Sequence, residues 1–263
     1  MRPPLTALFM VKDEADRLPE GLASVAWADE VVVADTGSSD ATRELASRAG
    51  ARVASIPWEG YVASRNRALA LASHDWVLFL DADERVTPAL RGALEAALER
   101  AGESVAGASM PRLAHYQGRP VRHGVWYPDR KLRLGRRSRG FRCEGARVHE
   151  RMAVDGAVDR LEEPLLHFPF RDLEDAVRRQ TIYARLSAEE RFERGERAGL
   201  GSLLVRPCAE LLRSYVWKLG LLDGRAGAAV ALLHAGGYVM RAGFLMEAER
   251  HQAASAGTAE EKP

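Results

Sequence analysis

Two acidic stretches in this chain stand where an apolar run stops. Val31-Val32-Val33-Ala34 ends in Asp35-Thr36-Gly37-Ser38-Ser39-Asp40, and Trp76-Val77-Leu78-Phe79-Leu80 ends in Asp81-Ala82-Asp83-Glu84. In open α/β sheets ligands sit at the carboxyl ends of the strands, so a carboxylate at a strand tip is placed to accept hydrogen bonds from a base or a ribose. Two carboxylates on one tight turn can instead hold a hard divalent cation, Mg2+ or Mn2+, bridging a diphosphate. The triplet alone says little, because 14 aspartates in 263 residues give about one Asp-x-Asp by chance. A turn whose acids merely cap the next helix is the bland alternative. The first acidic strand end, at Asp35, together with the regular spacing, is what lifts the triplet above it.

The elements that must position these residues follow from the apolar periodicity. Four short runs, Leu5–Val11, Glu30–Ala34, Arg52–Ile56 and Trp76–Leu80, are bounded by polar or turn residues, as buried parallel strands are. Helices fill the gaps: Asp40 is placed to cap a segment ending at Ala49, and Pro88 sits in the first turn of an Ala/Leu/Glu-rich segment ending at Gly102. The alternation predicts an α/β fold with a mainly parallel central sheet. From Val105 to His167, short runs broken by Gly and Pro predict further strands and long loops.

The C-terminal third reads as a helical appendage. Residues 171–200 form a charged helical stretch, and 201–247 turn apolar, with a charge-free run from Ala226 to Met240 between Arg225 and Arg241. A spanning helix needs about 20 apolar residues, so this 15-residue run is expected to be a buried or interfacial helix with basic flanks. The expected division is a catalytic domain over 1–170, a helical region with an interfacial face over 171–250, and a disordered tail over 251–263.

Whole-chain composition narrows the partners. With 38 basic and 37 acidic residues the formal charge is +1, which demands no polyanion. Between Arg119 and Arg147, however, ten basic residues face only Asp129 and Glu144. Such a patch can neutralise a departing diphosphate or dock an anionic acceptor, or it can be a solvated face. Aromatic platforms are not interleaved with these arginines, which argues against nucleic acid. Together with Arg206, Arg213, Lys218, Arg225 and Arg241 the patch suggests peripheral contact with an anionic membrane, against the alternative of a helical hairpin packed on the core. Cys143 and Cys208 form neither a disulfide framework nor a zinc site, and the stretch Leu5–Val11 is too short for a signal-peptide core. The expected place is the cytoplasm, peripheral on the cytoplasmic face of the inner membrane.

The blocks Val11-Lys12-Asp13-Glu14, Trp27 through Thr42, Ser64-Arg65-Asn66-Arg67-Ala68-Leu69 and Asp75 through Glu84 resemble, in order and spacing, those of family 2 glycosyltransferases. Arg122 through Asp129, Lys131-Leu132-Arg133-Leu134, Val148-His149-Glu150-Arg151 and the stretch Tyr215 through Gly224 resemble the branch that includes lipopolysaccharide-core glucosyltransferases. The resemblance implies a GT-A nucleotide-diphospho-sugar fold, a divalent cation and inversion by direct attack of an acceptor hydroxyl. It implies Asp35 at the base or ribose with Glu14 nearby, Arg65 and Asp81 in the nucleotide-sugar site, and Asp83 on the metal. The family carries Asn where Asp13 stands. Inverting transfer needs a general base; Asp129 stands roughly where many of these enzymes carry theirs, and Glu150 is the second candidate. His149 is a candidate metal or phosphate ligand, against a structural histidine.

The expected activity is transfer of a hexose, glucose from UDP-glucose, to a glycan or glycolipid acceptor such as a lipopolysaccharide core. A sugar-1-phosphate nucleotidyltransferase would carry a glycine-rich basic loop after its first strand, which Val11-Lys12-Asp13-Glu14 is not. A degenerate sugar-nucleotide-binding module is the non-enzymatic alternative. Glycoside hydrolysis would need carboxylates farther apart than Asp81 and Asp83.

Overall fold

The computed structural model describes residues 2–145 and 150–260. Its first half alternates strand and helix: β1 (Leu5–Val11), α1 (Leu18–Ser24), β2 (Glu30–Asp35), α2 (Thr42–Arg48), β3 (Arg52–Ser55), α3 (Tyr61–Leu69) and β4 (Trp76–Leu80). There follow β5 (Glu84–Arg85), α4 (Pro88–Arg100), β6 (Val105–Tyr116), β7 (Arg119–Pro120), β8 (Asp129–Arg136), β9 (Arg142–Glu144), β10 (Arg151–Ala153), β11 (Ala157–Arg160) and β12 (Leu165–His167). The chain ends in α5 (Leu173–Glu193), α6 (Arg206–Leu212) and α7 (Gly224–Glu260).

The main sheet runs β3-β2-β1-β4-β8-β6-β12-β5. β1 to β4 are parallel, and β8 then joins β4 antiparallel. This is the α/β architecture expected, with antiparallel strands extending a parallel half. Alternate residues of β1 and β4 enter opposite cores, as the two-residue period of a strand requires. Leu5, Phe9, Leu78 and Leu80 pack with Leu22 of α1 and Leu90 and Leu94 of α4, whereas Leu8, Val77 and Phe79 pack with Ala68 and Leu69 of α3. Pro88 opens α4, with the Thr87 hydroxyl accepting from Leu90 N.

Register, more than composition, assembles the acidic ends. Val11 is level with Asp35, and Phe9 with Leu80, so Asp35 and the turn that begins at Asp81 emerge from one edge of the sheet. Across β8, Leu78 is level with Leu134, which brings Arg133 beside the end of β4. Arg112 of β6 is level with Asp129 of β8, and His167 of β12 with Glu84 of β5.

The chain resolves into two compact units, Met1–Leu113 with Pro128–Phe168, and Ala114–Tyr127 with Pro169–Pro263. The expected 1–170 block is therefore interrupted. Residues 114–127 belong with the C-terminal helices, because Tyr116 and Val121 are buried with Ala226 and Val230, and the Asp223 carboxylate accepts from Arg122 N and His123 N. Two further expectations change. Helix α7 is continuous from Gly224 to Glu260, and so takes in residues of the segment 251–263 expected as a disordered tail. The same continuity means that Gly220–Gln252 is long and apolar enough, by length and composition alone, to cross a membrane, which the 15-residue charge-free run did not reveal.

β8 owes its approach to the small β9–β10 ribbon to Gly135: a Cβ there would lie 2.3 Å from the Phe141 ring. Gly135→Ala is expected to cost about 1–3 kcal/mol through overpacking, read as a lowered urea midpoint with an unchanged slope.

Candidate functional site

The loop after β2 is held by its own acids. Asp35 is fully buried, and its Oδ1 accepts from Gly37 N at 3.1 Å and Ser38 N at 3.0 Å, while Oδ2 accepts from the Ser38 hydroxyl. This carboxylate, expected at the base or ribose, is engaged in shaping the turn. Asp13 sits at φ +53°, a left-handed conformation that Asn and Asp tolerate best among residues with a side chain. Its Oδ1 accepts from Ser39 N at 2.7 Å and its own N–H donates to Ser38 Oγ at 2.9 Å. Asp in place of the family's Asn thus keeps both the backbone conformation and the acceptor. Glu14, expected beside the base, accepts from Arg17 Nε at 2.9 Å and Nη2 at 3.0 Å, and that arginine turns towards Asp83.

The second acidic end opens into a chain of alternating charges. Asp129 Oδ2 accepts from Arg112 Nη2 at 2.6 Å; Arg112 Nη1 lies 3.5 Å from Glu84 Oε1; and the same oxygen accepts from Arg133 Nη2 at 2.6 Å. Arg133 Nη2 also donates to Asp81 Oδ2, Arg65 Nη2 donates to Asp81 Oδ1 at 3.1 Å, and Arg65 Nη1 ends 3.9 Å from Glu150 Oε1. Glu84 has no exposed surface, and its Oε2 accepts from Asp81 N at 3.1 Å, tying the turn to the network. Arg65 projects from α3 with its guanidinium over the rings of Tyr61 and Phe79.

Electrostatics follow this wiring. Burial would raise the Asp81 carboxyl, but Arg133, Arg65 and Arg112 overcome it and hold the group well below the usual range. Burial would also strip Arg133 of its charge, and Asp81 and Glu84 more than offset that, raising its pKa. Asp129 is likewise lowered, burial being outweighed by Arg112 and Lys131, whose Nζ is 3.0 Å away. A carboxylate so well matched is a poor proton acceptor.

Asp83 is different. Its Oδ2 is 3.6 Å from His167 Nε2 and 3.7 Å from Arg17 Nη1, and its Oδ1 is buried without a hydrogen-bond partner among the described residues. Burial raises this carboxyl, and the His167 imidazole draws it down past its ordinary value. A buried, ionised oxygen without a hydrogen-bond donor is chemically suited to a hard cation. Among the described residues no three His, Cys, Asp or Glu side chains converge as a ready-made cage. The donor set therefore fits a cation that takes one carboxylate here and its remaining oxygens from phosphate and water, as Mg2+ commonly does. His149 lies outside the described residues.

Arg65, Asp81, Asp129 and Glu150 are thus joined in one charge network; Asp83, on the same turn as Asp81, pairs with His167 and Arg17 instead, and Asp35 and Glu14 brace the neighbouring loops. Sequence reading did not single out Glu84, Arg112, Arg133, Arg17 or His167 for this site. The only available signal was charge inside strand patterns, Arg133 between Leu132 and Leu134 and His167 after Leu165-Leu166.

A family model described as glycosyl transferase family 2 matches residues 7–155. The chain is similar to the lipopolysaccharide core biosynthesis glycosyltransferase LpsC of Rhizobium meliloti (strain 1021), 31% identical over 251 residues, covering 88% of this chain and 90% of that protein. An uncharacterized glycosyltransferase of Rickettsia bellii (strain RML369-C) is 38% identical over 92 residues, covering 35% of this chain and 31% of the relative. Among solved structures, glucosyl-3-phosphoglycerate synthase from Mycobacterium tuberculosis, in complex with Mn2+, UDP and glucosyl-3-phosphoglycerate, is 25% identical. That likeness covers 43% of this chain and 44% of the other at a TM-score of 0.34, too partial to bring donor or metal to this chain.

Arg133→Met is expected to leave Glu84 and Asp81 short of their shared cation and cost about 3–5 kcal/mol at neutral pH. Because Asp81 has a depressed pKa, its contribution in the wild type is complete above its ordinary value of 3.8 and fades as the pH falls towards the depressed one. Urea unfolding against pH should therefore show the mutant's deficit narrowing below about pH 4, where carboxylates protonate; a deficit independent of pH would mean that packing, not charge, is lost.

Proposed function

Since the chain belongs to glycosyl transferase family 2 and is a glycosyltransferase, we propose that it transfers a hexose, glucose from UDP-glucose, with inversion, to a sugar of a lipopolysaccharide core or another cell-envelope glycan. The unpartnered, ionised oxygen of Asp83 carries the donor half of this reading. The full-length likeness to a protein named for lipopolysaccharide core biosynthesis supports the acceptor half.

In this proposal Asp83 holds a divalent cation, Mg2+ or Mn2+, which when bound neutralises the diphosphate of the donor and of the departing nucleotide. His149 is a second ligand candidate for it. The loop braced by Asp35, Asp13 and Glu14 receives the base and ribose. Arg65, held against Asp81, faces the donor phosphates with a buried Nε that has no partner among the described residues.

The proton of the attacking hydroxyl needs an acceptor within hydrogen-bond reach. Asp129 carries both Arg112 and Lys131, whereas Glu150 has only Arg65 within ion-pair distance among the described residues. We therefore assign the base to Glu150 and give Asp129 the part of anchoring Arg112, a reversal of the order suggested by the motif.

The C-terminal unit supports a membrane-surface reading. Trp217 is 84% exposed and stands among exposed Leu219, Leu221 and Leu222, beside Lys218 and Arg225. An aromatic and aliphatic patch rimmed by cations suits the interface of an anionic bilayer, the cytoplasmic face of the inner membrane.

Nucleotide sugars with UDP, GDP and other bases, each with and without Mn2+, are to be tested by thermal shift on wild type and Asp83→Ala. A shift with UDP-glucose that needs metal and is lost in Asp83→Ala is expected; no shift with any nucleotide would sink the donor assignment. In turnover, Glu150→Gln should fall by about 100- to 10,000-fold with donor binding kept, and Asp129→Asn by far less. The opposite ranking would return the base to Asp129.

A further inference from the structure

The C-terminal unit also gathers arginines that lack a counter-charge. Arg206 at the start of α6 and Arg241 on α7 both face Tyr238, their guanidinium carbons 5.5 and 4.2 Å from the ring centroid. Among the described residues no carboxylate lies within ion-pair distance of either. The nearby acids are engaged elsewhere: Glu210 is paired with Arg213 at 2.6 Å and lies 3.4 Å from His234, and Glu196 is paired with Arg191 at 2.6 Å. Arg191, near the end of α5, keeps a buried Nε with no partner among the described residues.

Arg241 stands among other positive charge. Burial, followed by repulsion from Arg191 and Arg206, lowers the Arg241 pKa, the reverse of what an ion pair does. Two guanidinium groups, from α6 and α7, meet at one aromatic ring with no carboxylate within ion-pair distance among the described residues, and a phosphate group is the ligand whose charge and oxygen spacing match them. The immediate surroundings say where that phosphate comes from. Leu200, Leu204 and Val205, directly before Arg206, are 76%, 59% and 67% exposed. Apolar side chains entering the acyl boundary would leave the adjoining arginine at headgroup depth.

We propose that Arg206 and Arg241, gathered at Tyr238, form a binding site for the phosphate of an anionic membrane-lipid headgroup. This rests on the membrane-surface reading above and adds to it a defined phosphate contact, separate from the Trp217 patch.

Full-length protein is to be co-sedimented with phosphatidylcholine vesicles and with the same vesicles containing phosphatidic acid, as wild type, R206Q/R241Q and R206K/R241K. Wild type should prefer the acidic vesicles, R206Q/R241Q should lose about tenfold or more of that affinity, and R206K/R241K should recover only part of it, since lysine keeps the charge but not the fork. All three should keep the metal-dependent thermal shift with nucleotide sugar, which reports an intact fold. If R206Q/R241Q binds acidic vesicles as wild type does, the site is wrong while the membrane reading stands. Wild type that binds no vesicle overturns both. If inorganic phosphate raises the wild-type Tm but not that of R206Q/R241Q, and vesicles are not bound, the arginines take free phosphate and the lipid assignment is overturned.

Discussion

Glu84 is a carboxylate with no exposed surface, and a charge in that position must be matched where it stands or the fold loses several kcal/mol. It is matched by Arg133 at 2.6 Å and Arg112 at 3.5 Å, side chains of two neighbouring antiparallel strands. Through Arg133 it reaches Asp81, and through its second oxygen it fixes the backbone of the Asp81 turn. Buried ion pairs rarely stabilise a protein more than apolar residues of the same volume would. A network of this length at the tip of the parallel strands is therefore better understood as setting geometry and charge than as adding stability. It leaves the neighbouring Asp83 as the one aspartate of the triplet with an oxygen to offer.

The parallel half of the fold was legible because each strand and its crossover helix lie next to each other in sequence and their apolar periods are regular. Leu5–Val11 and Trp76–Leu80 are found at the limits the pattern predicted, and Asp35 and Asp81 stand at strand ends for the same reason. The partners of Asp81 were not legible. Arg133 is 52 residues away and Arg65 16, and both reach it only once β8 has paired with β4 and α3 has packed on the sheet. A sequence shows which side chains carry charge; which charges meet depends on register. The proposed ordering of Glu150 over Asp129 depends on the same kind of information, the cations that register brings around each carboxylate.

Asp35 and Glu14, expected at the base or ribose, also have partners within the protein, as does Asp13. Asp35 and Asp13 tie one loop to the next, and Glu14 orients Arg17 towards Asp83. Such bracing is what a preorganised site requires, because a binding loop that must be ordered on each encounter loses part of its affinity to that ordering. The C-terminal helices were legible in outline, but their length was not: α7 continues beyond the point at which polar composition suggested an end.

β6 has its first nine residues in the sugar-nucleotide unit and its last three in the helical one, and the chain comes back at Pro128 before leaving again at Pro169. The helical unit is accordingly an insertion together with an extension, and the chain passes between the two units three times. Cutting the gene after residue 170 would not isolate the catalytic part, because the excursion 114–127 would keep Tyr116 and Val121 and lose Ala226 and Val230, the residues that cover them. A minimal catalytic domain would need a short turn joining Leu113 directly to Pro128.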